Sequence, residues 1–131
     1  MQVRREQSVG IYSIHAYNGD EAILNSPRPG EHLLSLRSSF IITPEKLQQD
    51  WPPESLANAR GDDLATLTEL DIDVLLLGTG RNLHFPGTEQ LAALIGLGIG
   101  YEVMNSAAAC RTFNILAAEG RRVAAAVIIE K

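Results

Sequence analysis

One cysteine, Cys110, is all the chain has in 131 residues. A disulfide within the chain is therefore excluded, and so is a zinc site built around several thiolates. Histidine is nearly as sparse, and His15, His32 and His84 share no metal-ligand spacing. Positive charge is in deficit: 11 Lys and Arg stand against 16 Asp and Glu, a formal net charge of -5. A nucleic-acid partner would call for a basic footprint, and none is present. Most of the cations are arginines scattered along the chain, a pattern that suits separate surface ion pairs. No apolar run approaches the ~20 residues of a membrane-spanning helix. The N-terminal stretch, residues 1–6, is charged and has no apolar core behind it, so a signal peptide is not expected. Together these absences lead to the expectation of one domain over residues 1–131 in a soluble, reducing compartment, most simply a bacterial cytoplasm.

The first half of the chain reads as strands and turns. Residues 8–17 alternate in a way that suits a strand and not a helix, although both alternating sets are mixed. Asn18-Gly19-Asp20 supplies residues that tolerate positive φ, predicting a tight turn into a second strand at residues 22–24. Pro27 and Pro29 lack ladder donors, which makes residues 26–30 a surface loop. Residues 32–36 and 39–43 complete an expected β-meander that Pro44 ends. Trp51, before Pro52-Pro53, is expected to cap a sheet edge with its large apolar surface. Asp62 or Asp63 is the expected N-cap of a short helix over residues 63–70, with Leu64, Leu67 and Leu70 on one side.

The second half, residues 71–129, is the organising part. Residues 72–77 form a near-continuous apolar run of strand length, the pattern of a strand buried on both faces. Gly78-Thr79-Gly80 interrupts it. Pro86 or Thr88 can open a helix that carries Leu91, Leu94 and Ile95 on one side. Residues 99–104 form the next strand. Ser106 is the expected N-cap of a second helix through Ala118, with Ala109, Phe113, Leu116 and Ala117 as its buried arc. Gly120 ends it, and residues 123–129 form a last apolar strand. Two successive βαβ units predict parallel pairing. The expected fold class is thus α/β: a single three-layer domain in which an N-terminal β-meander is followed by β-α-β-α-β, with a mixed, partly parallel sheet and a helical layer.

This order brings two loops, residues 78–87 and the Asn105-Ser106 turn, to the C-terminal edge of the sheet, where open α/β sheets hold ligands. The edge collects Gly78, Thr79, Gly80, Arg81, Asn82, His84, Asn105, Ser106 and Arg111. Two helix starts and Arg81 would suit a small anion. Gly-Thr-Gly-Arg is nevertheless neither a Walker loop nor a complete dinucleotide fingerprint, and no cofactor is expected from it. Cys110 sits one turn into its helix but borders the buried arc, which suits a small core residue better than a nucleophile. Arg111 and Asn114, three residues apart, either hold a ligand or fix a neighbouring turn. No triad, carboxylate pair or metal cluster emerges from spacing.

The run Leu75-Leu76-Leu77-Gly78-Thr79-Gly80, with Tyr101-Glu102-Val103-Met104 and the long string from Ala109-Cys110-Arg111-Thr112-Phe113-Asn114 to Ala126, resembles the Mth-domain family of small α/β proteins. Ile41-Ile42-Thr43-Pro44 and Trp51 extend the resemblance over most of the chain. The mitochondrial member of that family is an assembly factor of complex I, NADH:ubiquinone oxidoreductase. The resemblance implies a compact α/β domain with an additional β layer and a non-catalytic role as a protein partner in assembly. It carries Gly78, Thr79 and Gly80 onto the family's strand-ending turn, and Arg111, Thr112 and Asn114 onto its helix motif. Asn105-Ser106 departs from the family pattern, which more often has Asp-Thr, and the missing carboxylate weakens any acid–base chemistry at this edge.

Two functions follow as expectations. One is a binding module for respiratory-complex subunits or another protein, using the edge as a docking surface. The alternative is a small-molecule or anion-binding protein, even an enzyme, working at the Gly78–Arg81 edge. No nucleic acid, membrane span or cofactor is expected in either, and the oligomeric state is not legible.

Overall fold

The computed structural model describes residues 10–131. The expectations for residues 1–6 and for the start of the first strand at residues 8–9 lie outside the described residues. Among the described residues there are eight strands: β1 (Ser13–Tyr17), β2 (Ala22–Asn25), β3 (Leu33–Leu36), β4 (Phe40–Ile42), β5 (Leu47–Gln48), β6 (Val74–Gly78), β7 (Gly100–Met104) and β8 (Val123–Val127). The α-helices are α1 (Gly61–Ala65), α2 (Thr88–Gly96) and α3 (Ser106–Ala118); 3-10 turns occupy Leu56–Asn58 and Thr66–Glu69.

The expected β-meander is divided. β1, β2 and β3 form a three-stranded antiparallel sheet, whereas β4 leaves it and joins a five-stranded sheet of order β5-β4-β8-β6-β7. β4 pairs antiparallel with β8, and β6 pairs parallel with both β8 and β7. The reason is apolar demand: Phe40, Ile41 and Ile42 are all buried and need cover on both faces, which a central place in the larger sheet provides. Pro44 does not end the β region, because the short β5 pairs back onto β4.

Strand alternation divides the core into two halves. On one face of the large sheet Phe40, Ile42, Leu76, Ala125 and Val127 pack with Ala109, Cys110 and Phe113 of α3 and with Ile14, Ala22 and Leu24 of the small sheet. On the other, Ile41, Leu75, Leu77, Ala124 and Ala126 meet Leu64 of α1, Leu67, Leu94 of α2 and Trp51. The three layers are therefore α1 and α2, the five-stranded sheet, and α3 with the small sheet. The alanines of β8 keep the central layer thin enough for helices to approach closely from both sides. Trp51 is buried, and its indole Nε1 donates to the Asp63 carbonyl at 3.1 Å, closing the sheet flank as expected.

Several boundaries differ from expectation for local reasons. Arg60, not Asp62 or Asp63, is the N-cap of α1; Asp63 instead accepts the Arg60 N–H at 2.9 Å from the third helical position. The helix expected over residues 63–70 ends at Ala65 and tightens into a 3-10 turn. Asn105, not Ser106, is the N-cap of α3, and its side chain accepts the Ala108 N–H at 2.8 Å. Leu116 is only half-buried, and Cys110 takes its place in the arc. In β1 the register shifts between Ile14 and Ala16, so His15 is extra and Tyr17 turns inward opposite Ala22. That bulge explains why neither alternating set in this strand was uniformly apolar.

Candidate functional site

The sequence-derived edge exists, but its polar groups are largely committed to one another. β6 and β7 are adjacent strands whose following helices lie on opposite faces of the sheet, the arrangement that usually opens a crevice between strand ends. Here the crevice is stitched shut. The Thr79 N–H donates to the Met104 carbonyl at 2.9 Å, and the Ser106 N–H donates to the Gly80 carbonyl at 2.8 Å. The Ser106 hydroxyl accepts the Gly80 N–H at 2.9 Å and donates to the Ile128 carbonyl at 2.7 Å. Ser106 is fully buried, so it joins three chain segments at one point.

Gly78 makes that approach feasible: a Cβ there would sit 2.9 Å from the Ser106 Cα. Gly80 has φ +115°, and a Cβ on it would collide with the Glu130 side chain. Glu130 occupies the place an external anion would take. Its carboxylate accepts the Arg81 N–H at 2.8 Å and lies 3.6 Å from His84 Nε2. The Arg81 guanidinium reaches the other way, to Asp20 in the β1–β2 turn, where it lies over Gly19. The buried Thr79 hydroxyl donates to the Asn82 carbonyl at 2.8 Å and accepts the His84 N–H at 3.0 Å, shaping the loop.

The α3 candidates diverge. The Asn114 side chain is spent on the β1 backbone at Ile14. Arg111 is exposed and lines a recess of about 200 Å³ with His15, Tyr17 and Cys110, while Thr112 is half-buried. Burial pushes the Cys110 thiol up to about 12, with Arg111 opposing only weakly, so it is not poised as a thiolate nucleophile. The Tyr17 hydroxyl is buried with no hydrogen-bond partner among the described residues; burial, then the neighbouring Cys110, raises its pKa above the ordinary phenol value. Tyr17, Asp20 and Glu130 were missed from sequence, since each reaches the edge only through tertiary folding. Among the described residues, no three His, Cys, Asp or Glu side chains converge as a metal set would. A separate cavity of about 400 Å³ lies at the opposite end of the parallel strands, between Pro44, Lys46, Ile72, Ala117, Arg121 and Val123. None of the sequence-derived candidates lines it.

Residues 14–128 match a family described as protein of unknown function (DUF498/DUF598). The chain belongs to this family. Its DUF498/DUF598 relatives include the human NADH dehydrogenase [ubiquinone] 1 alpha subcomplex assembly factor 3, 30% identical over 96% of this chain and 65% of that protein. The zebrafish protein of the same name is 38% identical over 67% of this chain and 51% of its own length. An uncharacterized protein of Rhodobacter capsulatus is 44% identical over 51% of the chain and 56% of its own. The chain thus spans from about half to just under two thirds of the length of these relatives. Among solved structures, the crystal structure of a Bordetella parapertussis protein superposes with a TM-score of 0.78 at 32% identity, covering 92% of this chain and 98% of that one. The solution structure of a Bordetella pertussis protein, titled a Mth938-like domain, gives 0.70 at 29% identity over 94% and 88%. The DUF498/DUF598 chain is thereby homologous to assembly factors and has a Mth938-like fold. No described helix is long and apolar enough to cross a membrane.

Proposed function

We propose that this domain is a non-catalytic assembly factor that binds subunits of a respiratory NADH dehydrogenase before the complex is complete. The observation that carries the proposal is the homology to proteins named as assembly factors of that enzyme, extending over nearly the whole chain. The edge chemistry supports it. The Thr79, Gly80 and Arg81 amides that would cradle an anion already have acceptors, and the Glu130 carboxylate stands where the anion would bind. Binding an external anion at Gly78–Arg81 would require Glu130 to leave and the loop to lose these bonds, so the surface suits docking better than small-ligand chemistry. On this proposal Arg81, His84 and Arg111 act as contact residues at the rim of an interface, and Gly78, Ser106 and Asn114 keep that surface rigid.

Affinity capture from detergent-solubilised native membranes tests the proposal. Tagged chain should enrich NADH dehydrogenase subunits over a capture with an unrelated domain of similar size and charge. Equal recovery in the two captures would overturn it.

A further inference from the structure

Among the described residues β7 is an edge strand, paired only with β6. The Met104 carbonyl points inward, since it accepts the Thr79 N–H, and alternation along a strand then turns the N–H and C=O groups of Tyr101 and Val103 outward. Among the described residues, neither a backbone group nor a side chain satisfies those outward groups. The strand's two faces differ in chemistry. Tyr101 and Val103 lie on the α2 side, in the same apolar cluster as Leu94 and Leu97. On the same helix as Leu94, Leu91 is 40% exposed and Ile95 63% exposed. Glu102 lies on the opposite face, in register with Leu76, and is exposed.

We propose that the free edge of β7 is a docking site for an extended segment of a partner protein that adds as a sixth strand, with a Lys or Arg opposite Glu102 and apolar residues on either side of it facing α2. Charge selects this occupant. A second copy pairing antiparallel along the full strand would place Glu102 directly against its own equivalent, and like charges opposite each other are unfavourable in a ladder. A cationic residue at that position converts the repulsion into a cross-strand ion pair. Backbone groups of Tyr101 and Val103 supply affinity, while the Glu102 position and the apolar α2 face supply selectivity. This proposal rests on the assembly-factor function and names the kind of segment such a partner presents.

The test uses the full ¹⁵N-labelled chain and two capped synthetic peptides, Thr-Val-Lys-Val-Thr and Thr-Val-Glu-Val-Thr. The lysine peptide should shift the amides of Tyr101 and Val103 and those around Leu91 and Ile95, and should bind roughly five- to tenfold more tightly than the glutamate peptide. Glu102→Lys, a change at an exposed side chain, should reverse that order with the rest of the spectrum retained. No shift at millimolar peptide, equal binding of both peptides, or shifts confined to residues 78–87 would overturn the proposal. So would concentration-dependent dimerisation through β7, or binding of phosphatidylglycerol vesicles through the Leu91 and Ile95 face. Capture from membranes separates the two proposals. Equal recovery of NADH dehydrogenase subunits by the unaltered chain and by Glu102→Lys would remove the edge and leave the assembly function standing. Peptide selectivity without any recovery of those subunits would do the reverse.

Discussion

Asn114 holds the backbone of Ile14 at both of its polar groups. Its Oδ1 accepts the Ile14 N–H at 2.8 Å and its Nδ2 donates to the Ile14 carbonyl at 2.8 Å, across a separation of 100 residues. β1 is the outer strand of the small sheet, and Ile14 sits at the bulge where the ladder to β2 is irregular. One side-chain amide thus substitutes for the missing neighbouring strand and fastens the small sheet to α3. A residue that suits ligand recognition in sequence is consumed by architecture.

Asn114→Ala should therefore destabilise the domain although it touches no ligand. Two part-buried backbone groups lose their partners, and a loss of about 2–3 kcal/mol is expected. Urea unfolding checks this, with Asn114→Asp falling further because a carboxylate would face the Ile14 carbonyl.

Ser106→Ala leaves the Gly80 N–H and the Ile128 carbonyl without the hydroxyl that serves both. The expected cost is about 2–4 kcal/mol. Gly78→Ala should cost at least about 1–3 kcal/mol by overpacking, since the new methyl meets helix backbone that cannot rotate away. Thermal unfolding of the two single variants and of the double variant would show non-additivity, because both act on one junction.

Arg122 donates to Asp71 and Asp73, each at 2.6 Å, tying the segment before β6 to the one before β8. The hydrogen bond from Arg122 holds the Asp73 carboxyl below the usual carboxylate range. A carboxylate depressed in the folded state contributes stability that is present above its unfolded pKa and is lost as pH falls through the folded one. Asp73→Asn should accordingly flatten the decline of the urea midpoint as pH falls through and below the ordinary carboxylate range, on the order of a single carboxylate's share. The difference should shrink in high salt, because all three side chains are exposed.

Cys110 should resist modification while the domain is folded. With its thiol pushed up to about 12 and buried on the inner face of α3, labelling by an aromatic disulfide at pH 8 should wait for opening of the structure. The rate should rise with urea in parallel with unfolding. Fast labelling in native buffer would contradict the burial.

Much of the parallel half was legible because its signals are local. The apolar run before Gly78 and the helical periodicity after Thr88 and Ser106 each lie within one element, and the βαβαβ order follows from them. The small errors there concern one cap and one arc position, where Cys110 is buried in place of Leu116: Ser106 and Asn105 are both capable N-caps, and the tie to Gly80 and Ile128 draws Ser106 inside the helix. The antiparallel half was less legible. β4 looks like the fourth strand of a meander until β8, more than eighty residues later, offers it a buried neighbour. The bulge at His15 likewise belongs to a pairing and not to a pattern.

Sequence alone determined the class of the fold, the order of its parallel strands along the chain and the place where two loops meet, because periodicity, glycine breaks and helix-capping residues act over a few residues at a time. The tertiary structure decided what that meeting place can do. Glu130 and Asp20 come from far along the chain to satisfy the Arg81 amide and guanidinium that a ligand would otherwise have met, and Asn114 is turned to the distant backbone of Ile14. No local pattern records such pairings, since a buried polar group is satisfied by whatever the fold carries to it.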